Sequence, residues 1–206
     1  MSNSEEERPR RTRAPGERSR RRVLHHAAQL ATVEGLEGLS VGRLAEASGM
    51  PKSSVYQLFG SKEEIQLATV EAARATFTAE VVLPARVSAD PGAPRLLALC
   101  DGYLDYVENR VFPGGCFFVG AAAEVGARPG RLHDRVAVVQ QEWRDLLLRE
   151  AERAAEQGEL PDGSEPAQVA FELGAIVAGT NILSVLHEDF GVIARARAAV
   201  RSRLGL

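Results

Sequence analysis

Between Gly49 and Gly60 the chain has room for one short helix, Lys52 to Phe59, with a stop or start signal at each end. A piece of that length gains little as an isolated helix, because nucleation is costly and few bonds follow it. Its neighbours must therefore hold it. Upstream, Leu24, Ala27, Ala28 and Ala31 recur at helical spacing over Ser19 to Glu34, with Val23 and Leu30 widening the stripe. Gly35 is a left-handed stop, Leu36 to Leu39 a short connection, and Ser40 a good N-cap for a second helix carrying Val41, Leu44 and Ala45. Gly49 supplies the turn and Pro51 suits a helix start. Met50, Val55 and Phe59 then face inward, while Lys52, Ser53, Tyr56 and Gln57 face outward. Ser61 and Glu64 form a capping box, in which each satisfies the other's free amide, and a longer helix runs on to about Val82, before Pro84. A thin helix with donors and acceptors outside and a rigid support inside has the shape needed to enter a major groove. A three-helix core without any ligand has the same shape, so shape alone does not decide.

Charge adds a sign. The net charge is −3, yet the first 74 residues hold 12 basic and 10 acidic side chains, and the remaining 132 hold 13 and 18. The N-terminal part is thus the candidate for a polyanion. Much of its excess lies in Arg8, Arg10, Arg11, Arg13, Arg18, Arg20, Arg21 and Arg22. Residues 1–17 read as a flexible basic arm, either merely solvated or laid along phosphates on binding.

The segment SVGRLAEASGMPKSSVYQLFGSKEEI resembles the DNA-binding segment of the tetracycline-repressor (TetR) family of bacterial regulators. The resemblance rests on Ser40, Leu44-Ala45, Ser48-Gly49-Met50, Val55-Tyr56, Phe59 and Ser61-Lys62-Glu63, and spans roughly Val23 to Leu67. Gly42, Leu58 and Ala31 depart from the family pattern: a basic or polar residue, a second aromatic and a Phe are common there. By this resemblance Lys52, Ser53, Tyr56 and Gln57 face the groove, with Lys52 suited to guanine and Gln57 to adenine. Tyr56, Lys62, Ser40, Ser54 and Arg43 hold phosphates, Arg43 standing in for the residue lost at Gly42. Lys52 and Lys62 are the only lysines in the chain.

The expected organisation is all-α, with about nine helices: the arm 1–17, a three-helix helix-turn-helix domain 18–64, and a helical effector-binding and dimerisation domain 65–206. Past residue 75 there is no internal repeat and no β alternation. Helices are expected from Pro94 to Asn109, Cys116 to Val125, Leu132 to Gln157, Pro166 to His187 and Val192 to Leu204. The helix 166–187 is apolar nearly all round and must be buried on several sides. Its small residues, and Ile193, Ala194, Val200 and Leu204 on 192–204, point to a homodimer through a four-helix bundle. A dimer reads a palindrome with half-sites about 34–36 Å apart.

An effector cavity between the helices would be lined by Tyr103, Leu104, Val107, Phe112, Phe117, Phe118, Trp143, Leu147 and Asn181. Each apolar one is equally well explained as core. Asn181, polar in an apolar stretch, needs a partner; Glu124 and His187 read as surface residues. Few charges fall on these faces, so the effector is expected to be small and apolar or aromatic. The two cysteines, Cys100 and Cys116, and four histidines form no metal set, and no cofactor is implied. Cys116 is considered for a redox role, but no basic side chain adjoins it in sequence. Cys116 with His133, or Ser184 with His187, is the nearest approach to a nucleophile and base, without an oxyanion loop. No secretory segment or membrane-length apolar run is seen, which points to a cytoplasmic protein. The function expected is a ligand-released repressor bound to a palindromic operator; the rivals are a DNA-binding regulator without effector and an enzyme using Cys116.

Overall fold

The structure is a computed structural model that describes residues 13–206. Arg8, Arg10 and Arg11 and the first twelve residues of the expected arm lie outside the described residues. Nine helices fill the described chain, without a strand. They are α1 (Arg13–Glu34), α2 (Val41–Ser48), α3 (Lys52–Phe59), α4 (a continuous rod of Lys62–Phe77, Thr78–Val82 and Leu83–Ser88), α5 (Ala93–Glu108), α6 (Phe117–Val125), α7 (Arg131–Glu156), α8 (Pro166–His187) and α9 (Gly191–Leu204). α1 begins six residues before the start read from periodicity, since its first turns are polar and carry no apolar stripe to detect.

The three N-terminal helices close over Val23, Ala27, Leu36, Leu39, Leu44 and Val55, all within 1 % of full burial. α1 and α4 pack side by side, and one continuous apolar cluster runs from Val23 to Leu204. The three-helix head therefore shares its core with the rest of the protein.

Two features of α4 differ from the sequence reading. The helix passes through Pro84 to Ser88 instead of ending at Val82. Proline lacks a donor and its ring crowds the carbonyl four residues back. The chain relieves this by widening into a π turn over Thr78–Val82, where the Leu83 amide donates to the Thr78 carbonyl. At the other end only half of the capping box forms. The Ser61 hydroxyl accepts from the Glu64 amide at 3.2 Å, but the Glu64 carboxylate is turned to Arg131 at 3.0 Å.

α8 corrects a second expectation. Pro166–His187 is long and apolar enough to cross a membrane by length and composition, with mean hydropathy 1.8, and only 39 % of its most apolar window is buried. One face sits on α7 and α9 through Val169, Leu173, Val177 and Ser184. The other is left open: Phe171, Ile182, Leu183 and Leu186 are 46–71 % exposed.

Cys100 on α5 is fully buried, and burial pushes its thiol from near 9 up to about 12. The unfolded chain releases this proton near pH 9 while the folded chain still holds it, so the folded state is favoured below pH 9 and loses ground as pH rises toward 12. Stability measured by urea midpoints should fall across this window by up to about 1.4 kcal/mol per pH unit from this group, and Cys100→Ala should flatten the fall.

Candidate nucleic-acid interface and internal cavity

α3 is held by its inner face and its end. Val55 and Phe59 are buried against α1 and α2. Arg20 reaches from α1, donates to the Leu58 carbonyl at 2.7 Å, and lies 4.4 Å above the Phe59 ring. No sequence signal marked Arg20 among so many arginines. The outward face presents Lys52, Ser53, Tyr56 and Gln57, all exposed, with Ser54 half-buried. The Lys52 side chain lies over Gly42, its ammonium 3.7 Å from where a Cβ would sit, which is ordinary van der Waals contact.

The remaining expected contacts are engaged within the protein. Ser40 caps α2 by accepting from the Arg43 amide at 3.2 Å. The Arg43 guanidinium forks between Glu34 and Glu46, which hold its proton more firmly, and its hydrogen bond to Glu34 pulls that carboxyl below the usual carboxylate range. Lys62 donates to the Glu37 carbonyl at 2.7 Å and to its carboxylate at 3.0 Å. Lys52, Ser53, Tyr56 and Gln57 thus form an open cluster, while the cations of Arg43 and Lys62 are already paired with carboxylates.

A cavity of about 740 Å³ opens among α4, α5, α6, α7 and α8. Of the nine residues expected to line it, Tyr103, Phe118, Trp143 and Leu147 do so. Leu104, Val107, Phe112 and Phe117 are instead packed in solid core, each 2 % exposed or less. Phe112 rests on the rings of Tyr106 and Phe117 and has no free face. Asn181 finds its partner inside the fold: its side-chain oxygen accepts from the Cys116 amide at 2.7 Å and ties the loop before α6 to α8. Helical spacing could not separate core from lining, because both are apolar. It also missed Phe77, with Thr78 and Val82 of the π turn, and Phe171, Gly174 and Ala175 on α8.

The cavity wall is aromatic. Phe77 meets Tyr103, Tyr106, Phe118 and Trp143 edge to face at 5.2–6.4 Å, and Tyr103 stacks on Trp143 at 6.0 Å. Cys116 also lines it, 4 % exposed, and burial pushes its thiol upward. That is the opposite of the depressed value a reactive thiolate needs. The lining contains no histidine, so His133 does not serve Cys116 as a base there.

The cavity and the three-helix head are joined at several points. Glu124, at the far end of α6, accepts from the Leu36 and Glu37 amides, both at 2.7 Å. It is not the free surface residue its sequence position implied. Gly35, at φ +79°, ends α1 and leaves room for that carboxylate, whose nearest oxygen would be 3.1 Å from a Cβ there. Gly114 lies so close to α1 that a Cβ would fall 1.8 Å from the Thr32 carbonyl oxygen, and its amide donates to the Thr32 hydroxyl at 3.1 Å. Gln29 donates to the Val111 carbonyl at 3.0 Å. On the α4 side, Arg131 pairs with Glu63 and Glu64, and Arg135 with Glu71.

Residues 23–69 match the family of bacterial regulatory proteins, tetR family, and residues 92–200 match the tetracyclin repressor-like C-terminal domain. The HTH-type transcriptional repressor NemR of Escherichia coli K12 is 24 % identical over 184 residues, covering 89 % of this chain and 92 % of NemR. A crystal structure of reduced E. coli NemR superposes with TM-score 0.75 at 25 % identity, covering 90 % of this chain and 97 % of that one. A TetR transcriptional regulator from Chloroflexus aurantiacus superposes with TM-score 0.79 at 24 % identity, covering 91 % and 94 %. AibR, in complex with isovaleryl coenzyme A and operator DNA, does so with TM-score 0.70 at 20 % identity, covering 90 % and 98 %. The helix-turn-helix head, the helical body and these matches agree, and the chain belongs to the tetR family of DNA-binding transcriptional regulators.

Proposed function

We propose that this regulator is a repressor that holds a palindromic operator as a homodimer and releases it when a small apolar or aromatic effector enters the cavity. The observation that carries the reading is a cavity of about 740 Å³ whose α6 wall ends in the Glu124 contact with the reading head. The likeness to a named repressor and to a protein crystallised with both acyl thioester and operator supports it. α8 and α9 form the dimer bundle, and the protein works in the cytoplasm, where its operator is. Neither cofactor nor metal enters this reading, and no residue is assigned a catalytic role.

Release is a population shift. The effector must favour, by several kcal/mol, the conformer whose two α3 helices no longer match the half-site spacing. Lys52, Ser53, Tyr56 and Gln57 read and grip the groove, while Lys62, Ser40, Ser54 and Arg43 settle on phosphates. Because Lys62 must first leave Glu37, and Arg43 must leave Glu34 and Glu46, both contacts are worth less than free cations would supply.

Gel shifts on palindromic duplexes from the promoter region of its own gene, at several salt concentrations, test this. Lys52→Ala should lose about 1–3 kcal/mol of discrimination at one base pair of each half-site. Lys62→Ala should weaken all sequences alike and lower the salt slope by about one per subunit. Indifference to every palindrome at low salt, with folded dimeric protein, would remove the proposal.

A further inference from the structure

The cavity is aromatic within and cationic at one mouth. Arg74, Thr78, Val82 and Arg86 form one row along α4, and all four border the cavity. Glu142, Asp145 and Arg149 border it from α7. The two helices run parallel, as the successive pairs Glu63–Arg131, Glu71–Arg135 and Arg74–Glu142 show. Arg149, about two turns past Glu142, therefore comes level with the stretch between Thr78 and Arg86. At the near end of this opening Arg74 donates to Glu142 at 2.6 Å, and the two charges cancel. At the far end they do not. Arg86 and Arg149 are exposed, and neither has a carboxylate partner among the described residues. Asp145, the other carboxylate on this border, accepts instead from the Gln141 side-chain amide at 2.7 Å. The Thr78 hydroxyl, on the π turn, makes no hydrogen bond among the described residues, and unlike the deeply buried Tyr103 hydroxyl it is not closed to water.

We propose that the effector is an amphipathic anion, an apolar or aromatic body ending in one carboxylate. The body fills the aromatic chamber, and the carboxylate sits at the α4–α7 mouth on Arg86 and Arg149, with the Thr78 hydroxyl as a further donor. The inference rests on the effector reading above and names the chemistry of that site. The chamber itself does not take the charge. Its wall is Phe77, Tyr103, Phe118 and Trp143, where a carboxylate would lose its hydration without meeting a counter-charge. At the mouth water still reaches the head, and a planar guanidinium matches a carboxylate through two parallel hydrogen bonds. Arg144, which borders the cavity from α7 and also has no carboxylate partner among the described residues, adds to the positive field. A cation meets that field with the wrong sign. A neutral compound of the same shape fills the chamber but leaves both arginines unused.

The test is displacement of the fluorescent apolar probe N-phenyl-1-naphthylamine from the full-length protein by two matched compounds. The probe is excited by energy transfer from Trp143, the only tryptophan in the chain and part of the cavity wall. 4-Phenylbutanoate and 4-phenylbutanamide have the same size and shape, and only the first is charged at pH 7. With the wild-type protein at low salt the acid should displace the probe about tenfold more tightly, the lower end of what hydrogen bonds to a charged group supply. The double variant Arg86→Gln, Arg149→Gln should bring that ratio to about one and leave the amide's affinity in place. Its melting temperature should match wild type, because both side chains are exposed. Arg22→Gln removes an exposed arginine of α1 that does not border the cavity, and should keep the wild-type ratio, which separates a local contact from a change in net charge. Equal displacement by acid and amide, or an unchanged ratio in the double variant, overturns the carboxylate site and leaves an apolar effector site standing. Failure of the probe and both compounds to bind overturns the effector reading itself, and this inference with it.

Discussion

Replacing Ile182 and Leu186 together by Glu should give a folded monomer that no longer retains the operator. Both side chains lie on the open face of α8, 50 % and 71 % exposed, one helical turn apart. Phe171 extends the same stripe at 67 %, and Ala175, Ala178 and Gly179 keep its middle flat enough for close approach of another helix. α9 lies against α8 and adds the exposed, small Ala194 and Ala198. Each large side chain covered by a second copy contributes roughly 1.5–3 kcal/mol. Two-fold symmetry doubles each contribution, and also doubles each inserted charge, so four carboxylates would meet in one apolar seam. The folded subunit should survive, because neither residue belongs to its core. Loss of pairing turns the second half-site contact from an intramolecular event into an independent one, at a cost of roughly 10²–10⁴ in apparent affinity. Sedimentation equilibrium and a gel shift on the same preparation measure both effects. A doubly substituted protein that remains dimeric would move the interface away from α8 and α9.

The reading head was legible because its signals are local. Gly49 and Gly60 adopt the positive φ their positions require, Ser40 and Ser61 cap the helices they precede, and Val55 and Phe59 point inward. What the sequence hid depends on partners far along the chain. Glu124 and the Leu36 amide are 88 residues apart, and nothing near position 124 marks a carboxylate that two amides will occupy. Asn181 was recognisable as a polar group in need of a partner, but not as the acceptor for Cys116, 65 residues away. The cavity was half legible for a different reason. Leu104 and Tyr103 are neighbours on α5 with the same burial and the same apolar context, and only the arrangement of five helices decides which one faces empty space. At Pro84 a local rule was applied correctly and still gave the wrong boundary, since the π turn is a second way to accommodate proline within a helix.

Glu124→Ala should uncouple the cavity from the operator more strongly than it destabilises the fold. Besides the contacts of α1 with the loop before α6, Gln29 with Val111 and Thr32 with Gly114, two routes connect them. Along α4 the links beyond the shared core are ion pairs, Arg131 with Glu63 and Glu64 and Arg135 with Glu71, whose carboxylates are each about half exposed. Such pairs are worth about 0–1 kcal/mol each and weaken in salt. The α6 route is a carboxylate gripping two successive backbone amides, and hydrogen bonds to a charged group are worth about 1.5–3 kcal/mol. Water reaches the Leu36–Glu37 turn once the side chain is gone, so the loss of stability should stay near 1–2 kcal/mol. The coupling has no such substitute. α6 begins at Phe117, lines the cavity through Phe118 and Val119, and ends within two residues of Glu124, so a displacement of its first turn reaches the α1–α2 turn as a rigid shift. Coupling free energies of this kind run at about 1–3 kcal/mol. With a saturating ligand found by a thermal-shift screen of small apolar and aromatic compounds, the ratio of operator affinities without and with ligand should therefore fall at least fivefold in Glu124→Ala, while Arg131→Ala changes it less than twofold. Hydrogen exchange at the Leu36 and Glu37 amides should quicken in the same variant even without ligand. If the Glu124→Ala ratio equals that of wild type, the signal travels along α4 or through the α1 contacts with the loop before α6, and the greater strength of the Glu124 contact is structural only.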